Sequence, residues 1–223
     1  MPEQKFENWP VVLADLSEGR DLDSKTAEAV LMSVLQGEAT DAQLAAFVVA
    51  LRQKGETVDE LSGLVRAMRF ACIPISCPPE TIDLVGAGGS PMGRKAALNV
   101  STIASFVAAG AGAKVCKHGN RKASSTSGSF DLLEELSIAA ELAPEQVSRC
   151  VEEVGVGFAY ARSFHPAMRH ASQVRVELGI PTVFNLLGPL SHPASLTRQV
   201  IGVPVEATGK RMAEVLKVTG TES

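Results

Sequence analysis

Acidic residues are missing from a long central stretch of this 223-residue sequence. Residues 84–130 contain no Asp or Glu, whereas six Lys and Arg residues give the stretch a formal charge of +6. Since the whole chain carries −4, the residues outside the stretch carry −10. A basic segment without acids inside an acidic protein is typical of an anion-binding site. We refer to residues 84–130 as the acid-free window.

Aromatic residues are also scarce, at 4% of the chain with one Trp and one Tyr. Within the acid-free window they are limited to Phe106 and Phe130. Proteins that bind single-stranded nucleic acid stack bases on aromatic side chains, and nucleic-acid-binding domains usually carry a net positive charge. The chain is therefore not expected to bind nucleic acid.

The sequence has no apolar run long enough to cross a membrane. The longest candidate, residues 103–115, is too short, and Met1-Pro-Glu-Gln-Lys-Phe-Glu contains no apolar core of a signal peptide. We therefore expect no membrane partner and a cytoplasmic location. The chain has four cysteines, Cys72, Cys77, Cys116 and Cys150, and no two of them have the CxxC spacing. Free thiols in a reducing cytoplasm fit this spacing, and a bridge between Cys72 and Cys77 is the alternative.

Capping signals and apolar periodicity predict four short helices near the N-terminus. The first is expected at 10–19, because proline is favoured in the first turn of a helix. Ser24 precedes the next apolar stripe, and the segments starting at Thr40 and Thr57 have the capping-box pattern. Residues 1–71 are therefore predicted to form a small all-helical domain with a packing or dimerising role, and we expect a homodimer through these helices.

The remaining chain is predicted to be an α/β domain. Three prolines in residues 72–80 favour an extended connector. Strands are predicted at 82–85, 114–117, 156–160, 183–187 and 199–203. Helices are predicted from about residue 101 and at 131–136, 144–154, 166–178 and 206–218. This alternation over residues 81–223 predicts a larger domain with a mostly parallel sheet flanked by helices.

Two segments at the start of the acid-free window are candidates for anion binding. The strand at 82–85 runs into Gly86-Ala-Gly-Gly-Ser90, where main-chain N–H groups can approach a phosphate, and a tight turn is the alternative. The segment is not a Walker A motif and fits GxGxxG poorly. Asn99-Val-Ser-Thr102 lies where a helix is predicted to begin, so its hydroxyls either cap that helix or meet an oxyanion or a metal at its positive end.

A second loop follows the strand at 114–117. It reads Lys117-His-Gly-Asn-Arg-Lys-Ala-Ser-Ser-Thr-Ser-Gly-Ser129 and combines three cations, a histidine, an asparagine and five hydroxyls. Ligands of open α/β sheets bind beyond the carboxyl ends of the strands. We therefore expect both loops to form one phosphate site, with a solvated basic loop as the alternative.

Two arginines follow on the helix predicted at 166–178. Arg169 and Arg175 are six residues apart, so they do not share a face and at most one points into a given pocket. The planar guanidinium of an arginine suits a carboxylate, and a surface role is the alternative. Further on, Asn185-Leu-Leu-Gly-Pro-Leu190 is predicted to be a strand that leads into a structural turn.

Together these segments resemble the anthranilate phosphoribosyltransferase family. The resemblance rests on Lys117-His-Gly-Asn-Arg121 with the serines after it, on His165-Pro-Ala-Met-Arg169, and on Asn185-Leu-Leu-Gly-Pro-Leu190, in this order and spacing. Asp41-Ala-Gln-Leu-Ala-Ala-Phe47 and Gly55-Glu-Thr57 are similar to the helical domain of that family. The resemblance covers nearly the whole chain and implies a small helical domain joined to a larger α/β domain.

The resemblance implies transfer of the phosphoribosyl group of phosphoribosyl pyrophosphate to the amine of anthranilate, with Mg²⁺ present and pyrophosphate released. It implies the following phosphoribosyl pyrophosphate-binding residues: Gly86, Gly89, Ser90, Asn99, Val100, Ser101, Thr102, Lys117, His118, Gly119, Asn120, Arg121, Ser124, Ser125 and Ser129. Ser101 would also contact the metal. Gly86, Asn120 and Arg175 would face anthranilate, with Arg175 reaching its carboxylate. His118 is a candidate proton acceptor, but no catalytic residue is assigned.

The sequence also departs from the pattern of the family. Gly86-Ala-Gly-Gly-Ser90 stands where the family has Gly-Thr-Gly-Gly-Asp, and a few extra residues, including Arg94 and Lys95, precede Asn99. The family continues well beyond the position of Ser223, and its Mg²⁺-binding Asp-Glu pair has no counterpart here. We therefore expect a fragment of a longer protein, weakly active or inactive alone, with an exposed edge strand and apolar helix faces.

Two other functions fit the same residues. A non-catalytic or re-purposed paralogue would bind phosphate-rich ligands or nucleic acid through the acid-free window. A related phosphoribosyltransferase or phosphorylase would act on another base. Asn120 and Arg175 favour a carboxylated aromatic amine over such a base.

Overall fold

A computed structural model of the chain describes residues 6–87, 98–121, 128–139 and 141–221. The chain divides into two compact units. The helical unit contains Met1–Cys72, Pro166–Ser191 and Arg211–Thr219, and the sheet unit contains Ile73–His165, His192–Lys210 and Gly220–Ser223. Two segments from the second half of the chain therefore belong to the helical unit. The division into residues 1–71, 72–80 and 81–223 stays a prediction.

Four helices open the helical unit, as the sequence predicts. They are α1 (Trp9–Ser17), α2 (Ser24–Leu35), α3 (Asp41–Lys54) and α4 (Val58–Phe70). Both predicted capping boxes are present. The Thr40 hydroxyl accepts a hydrogen bond from the Gln43 N–H at 3.2 Å, and the Thr57 hydroxyl accepts one from the Glu60 N–H at the same distance. The reciprocal bonds of the Gln43 and Glu60 side chains complete each box.

The cap of α2 differs from the prediction by one residue. Asp23, and not Ser24, caps this helix: its Oδ1 accepts a hydrogen bond from the Thr26 N–H at 2.8 Å. The backbone of Asp23 is extended, as a capping residue requires, whereas Ser24 is the first helical residue.

The rest of the helical unit corrects one predicted strand. After a 3₁₀ turn at Pro166–Met168 come α9 (Arg169–Leu178) and α10 (Phe184–Leu190). The strand predicted at 183–187, and the strand-to-turn segment predicted from Asn185 to Leu190, are therefore wrong, because α10 covers them. Asn185 lies in the first turn of this helix, where its Oδ1 accepts a hydrogen bond from the Thr182 N–H at 3.0 Å. Short apolar runs do not distinguish strands from buried helices.

Helices α2 and α4 pack closely because Gly63 has no side chain. A Cβ atom at Gly63 would lie 2.1 Å from the main-chain oxygen of Ser24 and 3.0 Å from the nitrogen of Glu28. The buried apolar side chains of these helices include Leu31, Leu35, Leu61, Leu64 and Val65. Apolar burial on this scale is the main source of stability in such a bundle.

The sheet unit contains four parallel strands in the order β3-β2-β1-β4. They are β1 (Ile82–Gly86), β2 (Val115–Gly119), β3 (Val156–Tyr160) and β4 (Arg198–Gly202). The register pairs Gly86 with Gly202 and Gly119 with Tyr160, so the carboxyl ends of the strands lie at the same end of the sheet. Four of the five predicted strands are confirmed, and so is the α/β class with an N-terminal helical part and a parallel sheet.

Helices connect these strands, as expected for parallel pairing. They are α5 (Val100–Gly110), α6 (Ser129–Glu135), α7 (Pro144–Arg149) and α8 (Ala161–Phe164), with α11 (Glu206–Val218) last. The predicted helix at 144–154 is α7 followed by a π-helical turn at Cys150–Val154. One buried apolar cluster contains Cys116, Val147, Val151 and Phe164, and a second contains Phe130, Leu133, Phe158 and Tyr160. In the described part of the chain, every helix is too short or too polar to cross a bilayer.

Candidate phosphate-binding site

The carboxyl ends of β1 and β2, which are neighbours in the sheet, define the candidate site. β1 ends at Gly86 and β2 at Gly119, so Gly86 and residues 117–119, which the sequence places in the loops, lie in the strands. Gly86 is exposed. Four predicted ligands, Gly89, Ser90, Ser124 and Ser125, lie outside the described residues. The other predicted ligands lie within the described residues.

One hydrogen bond joins the segment before α5 to the second loop, and another joins the two ends of the second loop. The Asn99 side chain, just before α5, donates from Nδ2 to the main-chain oxygen of Gly128 at 3.2 Å. The Phe130 N–H in α6 donates to the main-chain oxygen of Asn120 at 3.3 Å. The predicted residues that precede α5 and those that follow β2 are therefore brought together, as expected for one site.

Gly119 allows Ser129 to lie against the end of β2. A Cβ atom at Gly119 would lie 2.9 Å from Oγ of Ser129 and 3.3 Å from Cε2 of Phe130. A side chain at this position would therefore crowd Ser129 and Phe130. The close approach brings the predicted hydroxyl of Ser129 next to the predicted main-chain ligands of the second loop.

The first turn of α5 carries the predicted hydroxyls of the Asn99–Thr102 segment. Thr102 is fully buried, and among the described residues its hydroxyl has no hydrogen-bond partner. A buried hydroxyl without a partner costs about 1–3 kcal/mol. No acidic residue lies in the first turn, so the positive end of the helix is not neutralised there. Ser101 is partly buried and Val100 is exposed in the same turn.

Lys117 is a buried cation in the sheet. Its Nζ donates to the oxygen of Leu84 at 2.7 Å and to that of His118 at 3.3 Å. Burial lowers the pKa of Lys117 below its usual range, and the charge of Asp83 opposes this effect. Since an ammonium group has three N–H donors, one remains for a ligand beyond these contacts within the described residues.

Asp83 and His192 contact His118 of the candidate site, although neither belongs to a predicted motif. Asp83 is fully buried; its Oδ1 accepts from the His118 N–H at 3.1 Å and its Oδ2 accepts from Gln199 at 3.2 Å. An aspartate inside an otherwise apolar strand is a signal that could have identified it. His192 follows the Asn185–Leu190 motif by two residues but is far in sequence from the two candidate loops, and nothing local indicates that it contacts β2.

His118 lies among two other buried imidazoles. Its ring centroid is 5.2 Å from that of His165 and 5.6 Å from that of His192. Nδ1 of His192 accepts from the Ala194 N–H at 2.9 Å, so the proton of a neutral ring is on Nε2, which lies 2.8 Å from the oxygen of Cys116. His192 therefore fixes the backbone of β2 directly before Lys117.

Arg121 has acidic partners in this structure. Its guanidinium pairs with Glu134 and lies 3.5 Å from Glu141, and it sits 5.9 Å from the centre of the Tyr160 ring. The hydrogen bond to Glu134 raises the pKa of Arg121 above its ordinary value. Asn120 is exposed, and its Oδ1 accepts from the Arg121 N–H at 2.8 Å.

Arg175 lies in α9 of the helical unit. Its guanidinium carbon is 5.2 Å from the centre of the Phe184 ring, and burial lowers its pKa. Within the described residues it makes no ion pair, which leaves its guanidinium available to a carboxylate. Arg169 instead donates to the oxygen of Pro166 at 3.4 Å.

The described residues include no group of three His, Cys, Asp or Glu side chains arranged to hold a metal ion. Mg²⁺ is commonly held by few protein groups together with water and substrate phosphates. The partly buried Ser101, at the positive end of α5, fits a metal that arrives with a phosphate ligand better than a metal held by the protein alone.

Two family models match the sequence. Residues 10–72 match the helical bundle domain of the glycosyl transferase family. Residues 78–223 match the a/b domain of the glycosyl transferase family. The two matches meet at the proline-rich segment.

Known proteins with similar sequences and folds agree with these matches. The chain is 47% identical over 218 residues to an anthranilate phosphoribosyltransferase of Nitrobacter hamburgensis, covering 98% of this chain and 64% of that protein. The crystal structure of anthranilate phosphoribosyltransferase from Thermus thermophilus is 43% identical with a TM-score of 0.87, covering 94% of this chain and 63% of that one. The Saccharomyces cerevisiae enzyme in complex with PRPP and Mg is 29% identical with a TM-score of 0.83, covering 96% and 64%. The chain thus spans less than two thirds of these relatives. The predicted resemblance is confirmed.

Proposed function

Because the chain belongs to the glycosyl transferase family, through both its helical bundle domain and its a/b domain, we propose that it serves phosphoribosyl transfer from phosphoribosyl pyrophosphate to anthranilate. The sheet unit would bind the diphosphate and the sugar phosphate. Relatives that carry the name of this activity support the proposal, as does the complex of the yeast protein with PRPP and Mg.

The buried hydroxyl of Thr102 is the observation that carries the phosphate site. It lies in the first turn of α5, next to residues that the Asn99–Gly128 hydrogen bond connects to the second loop. An anion at this position would accept the hydroxyl proton and would lie at the positive end of the helix. The same ligand would remove the cost of burying the hydroxyl without a partner.

The remaining predicted residues would surround this anion. Lys117 would contribute a charged donor, while Asn120 and Ser129 would contact the ribose and phosphates. Ser101 would contact Mg²⁺, which neutralises diphosphate charge when bound. Gly89, Ser90, Ser124 and Ser125 retain their proposed role as phosphate ligands from sequence alone.

The proposed reaction does not need a strong general acid or base from the protein. The neutral amine of anthranilate is already nucleophilic, and the sugar carbon gains positive charge as the diphosphate leaves. Catalysis would therefore come from positioning the two substrates and from stabilising the charge on the leaving group. His118 is the candidate acceptor for the proton of the amine, and its place beside two imidazoles supports this role.

Binding and turnover test the proposal separately. Calorimetry with phosphoribosyl pyrophosphate should detect binding that strengthens with Mg²⁺, and a coupled assay should detect at most weak pyrophosphate release, which should depend on anthranilate. Failure to bind phosphoribosyl pyrophosphate with Mg²⁺ would contradict the proposed site. Release that depends on a pyrimidine, and not on anthranilate, would assign the chain to another base.

Replacing Arg175 tests the anthranilate position. Arg175→Ala should weaken anthranilate binding about tenfold or more, because a charge-assisted bond is lost, and should leave phosphoribosyl pyrophosphate binding unchanged. Arg169→Ala, on the same helix, is the matched control and should change neither. Equal loss of both ligands in Arg175→Ala would contradict the assigned role.

Nucleic-acid binding by a re-purposed paralogue is the second candidate, and the +6 charge of the acid-free window favours it. Titration with single-stranded DNA at several salt concentrations would distinguish it. Affinity that falls steeply with salt, together with no binding of phosphoribosyl pyrophosphate, would favour this function.

A further inference from the structure

The main-chain pairing between β1 and β2 stops before the two strands reach the candidate site. The Ile82 N–H donates to the Lys114 oxygen at 2.9 Å, and the register pairs Ile82 with Val115. Both strands are fully described, and this is their one register pair. In contrast, β1 pairs with β4, and β2 with β3, at all five positions. The strands on either side of the candidate site are therefore neighbours without a closed ladder at their carboxyl ends.

Two charged side chains bind the main-chain groups that a closed ladder would pair. Because the bonds of a parallel ladder are evenly spaced, the bond from Ile82 would be followed by one from the His118 N–H to the Leu84 oxygen. Instead, the His118 N–H donates to Oδ1 of Asp83 at 3.1 Å. The Leu84 oxygen accepts from Nζ of Lys117 at 2.7 Å. A carboxylate of β1 and an ammonium of β2 thus take the places of main-chain partners.

The main-chain oxygen of Cys116 is treated in the same way. A continued ladder would pair it with β1, but it lies 2.8 Å from Nε2 of His192. A third side chain therefore replaces a main-chain partner. The contribution of Cys116 is this oxygen. All four cysteines are free thiols, so the bridge between Cys72 and Cys77 that the sequence leaves open is not formed.

Asp83 connects three strands through its carboxylate. It lies in β1, its Oδ1 binds β2 at His118, and its Oδ2 accepts from Nε2 of Gln199 in β4 at 3.2 Å. Asp83 is 0% exposed and Lys117 is 1% exposed. Since buried charges are stable only when they are paired or hydrogen-bonded, this arrangement depends on the bonds just described and not on solvent.

We propose that Asp83 is a positioning residue of the phosphate site, which holds the main chain of β2 at His118 so that Lys117 bridges to β1 and keeps one donor for the ligand. This inference rests on the proposed function. If the His118 N–H bonded to the Leu84 oxygen, the ladder would close where Nζ of Lys117 now binds, and Lys117 would be displaced. The charge of Asp83 also opposes the lowering of the pKa of Lys117 by burial, which favours the ammonium form that binds phosphate.

Two substitutions at Asp83 separate its hydrogen bond from its charge. Asp83→Asn keeps an oxygen that accepts from the His118 N–H, whereas Asp83→Leu, of similar size, keeps none. We expect Asp83→Leu to weaken phosphoribosyl pyrophosphate binding with Mg²⁺ about tenfold or more, and Asp83→Asn to stay within about threefold of the unmodified chain, by calorimetry. Thr81→Val is the control and should leave affinity unchanged, because the buried Thr81 hydroxyl has no partner among the described residues.

Amide hydrogen exchange tests the position of His118 without any ligand. The His118 N–H should exchange slowly in the unmodified chain and in Asp83→Asn, and about tenfold or more faster in Asp83→Leu, because one hydrogen bond is lost. The amides of β3, on the other side of β2, should change less. Equal acceleration in β2 and β3 would indicate a general loss of stability and would overturn the proposal.

The binding data can also contradict the proposal. Affinity as low in Asp83→Asn as in Asp83→Leu would show that the site requires the charge and not the bond, and unchanged affinity in a folded Asp83→Leu would show that it requires neither. If Asp83→Leu does not fold, weak binding by Asp83→Asn or fast exchange of the His118 amide in the unmodified chain would overturn the proposal. If the unmodified chain does not bind phosphoribosyl pyrophosphate, the proposed function fails, and exchange at His118 alone decides whether Asp83 holds β2.

Discussion

At the scale of single residues, buried polar groups have two different roles. Those with hydrogen-bond partners stabilise the fold, whereas one without a partner is a candidate for binding a ligand. Glu60 is fully buried, and each of its carboxylate oxygens has partners: Oε1 accepts from the Leu22 N–H at 2.9 Å, and Oε2 accepts from Lys54 and Thr57. Burial alone lowers the pKa of Lys54, but its bonds to Asp21 and Glu60 outweigh burial and raise it. Thr102, by contrast, has a buried hydroxyl without a partner among the described residues.

Glu60→Ala should lower the free energy of unfolding by about 3 kcal/mol, because it leaves Lys54 and two main-chain N–H groups without their acceptor. Urea denaturation followed by circular dichroism measures the change. Glu206→Ala removes an exposed pair with Lys210 and should change stability by less than about 0.5 kcal/mol. Equal effects of the two substitutions would show that the buried carboxylate has no special role.

Thr102→Val should weaken phosphoribosyl pyrophosphate binding about tenfold, since it removes one bond to a charged ligand. It should leave the free energy of unfolding unchanged or raise it by up to about 1 kcal/mol, because the lost hydroxyl has no partner among the described residues. Calorimetry and urea denaturation measure the two effects. Ser105→Ala, which removes a hydroxyl that bonds the Ser101 oxygen one turn earlier, should reduce stability and spare affinity.

At the scale of elements, the distance between α2 and α4 depends on Gly63. Gly63→Ala should destabilise the chain by about 3 kcal/mol, because the added methyl group would overlap the main chain of α2 and force the helices apart. Gly110→Ala, at the exposed end of α5 where no atom lies within 4 Å of the added Cβ, should be neutral or stabilising by up to about 1 kcal/mol. Thermal unfolding of both variants checks the difference; similar melting temperatures would rule out a tight contact.

Elements with local signals could be predicted from the sequence, and those fixed by distant contacts could not. The capping boxes at Thr40 and Thr57 and four strands follow from nearby residues. Helix α10 resembles a strand in sequence because its apolar run is short and its neighbours are remote along the chain. In the site, the hydroxyls and the second loop follow from composition, whereas the role of His192 depends on a contact with Cys116 that spans 76 residues.

At the scale of the whole molecule, β3 and β4 are the two edge strands of the sheet in the described residues, and β4 is the more exposed of them. β4 pairs only with β1 there, and Val200 in its middle is 61% exposed. The exposed side chains of Val100, Ile103 and Val107 lie on α5. The predicted exposed edge strand and apolar helix face are thus found in the described residues, and both favour association of chains.

Val200→Lys should reduce association of the chain, because a charged side chain on an edge strand opposes pairing with another strand. Light scattering as a function of concentration measures it. Val176→Lys, which places the same charge at an exposed helix position, should have a smaller effect. If both variants reduce scattering equally, net charge and not the strand edge is responsible.

The pairing of β1 with β4 also sets an order of events during synthesis. β1 ends at Gly86 and its partner begins at Arg198, so one side of β1 has no strand to pair with until more than a hundred further residues have been made. At a translation rate of about 5–20 residues per second this delay lasts on the order of ten seconds. During that time the β1–β2–β3 part of the sheet must stay apart from neighbouring chains. The carboxyl end of β1, where we propose the phosphate site, therefore gains its second neighbouring strand late, and the ribosome-bound chain is most exposed to chaperones until β4 is made.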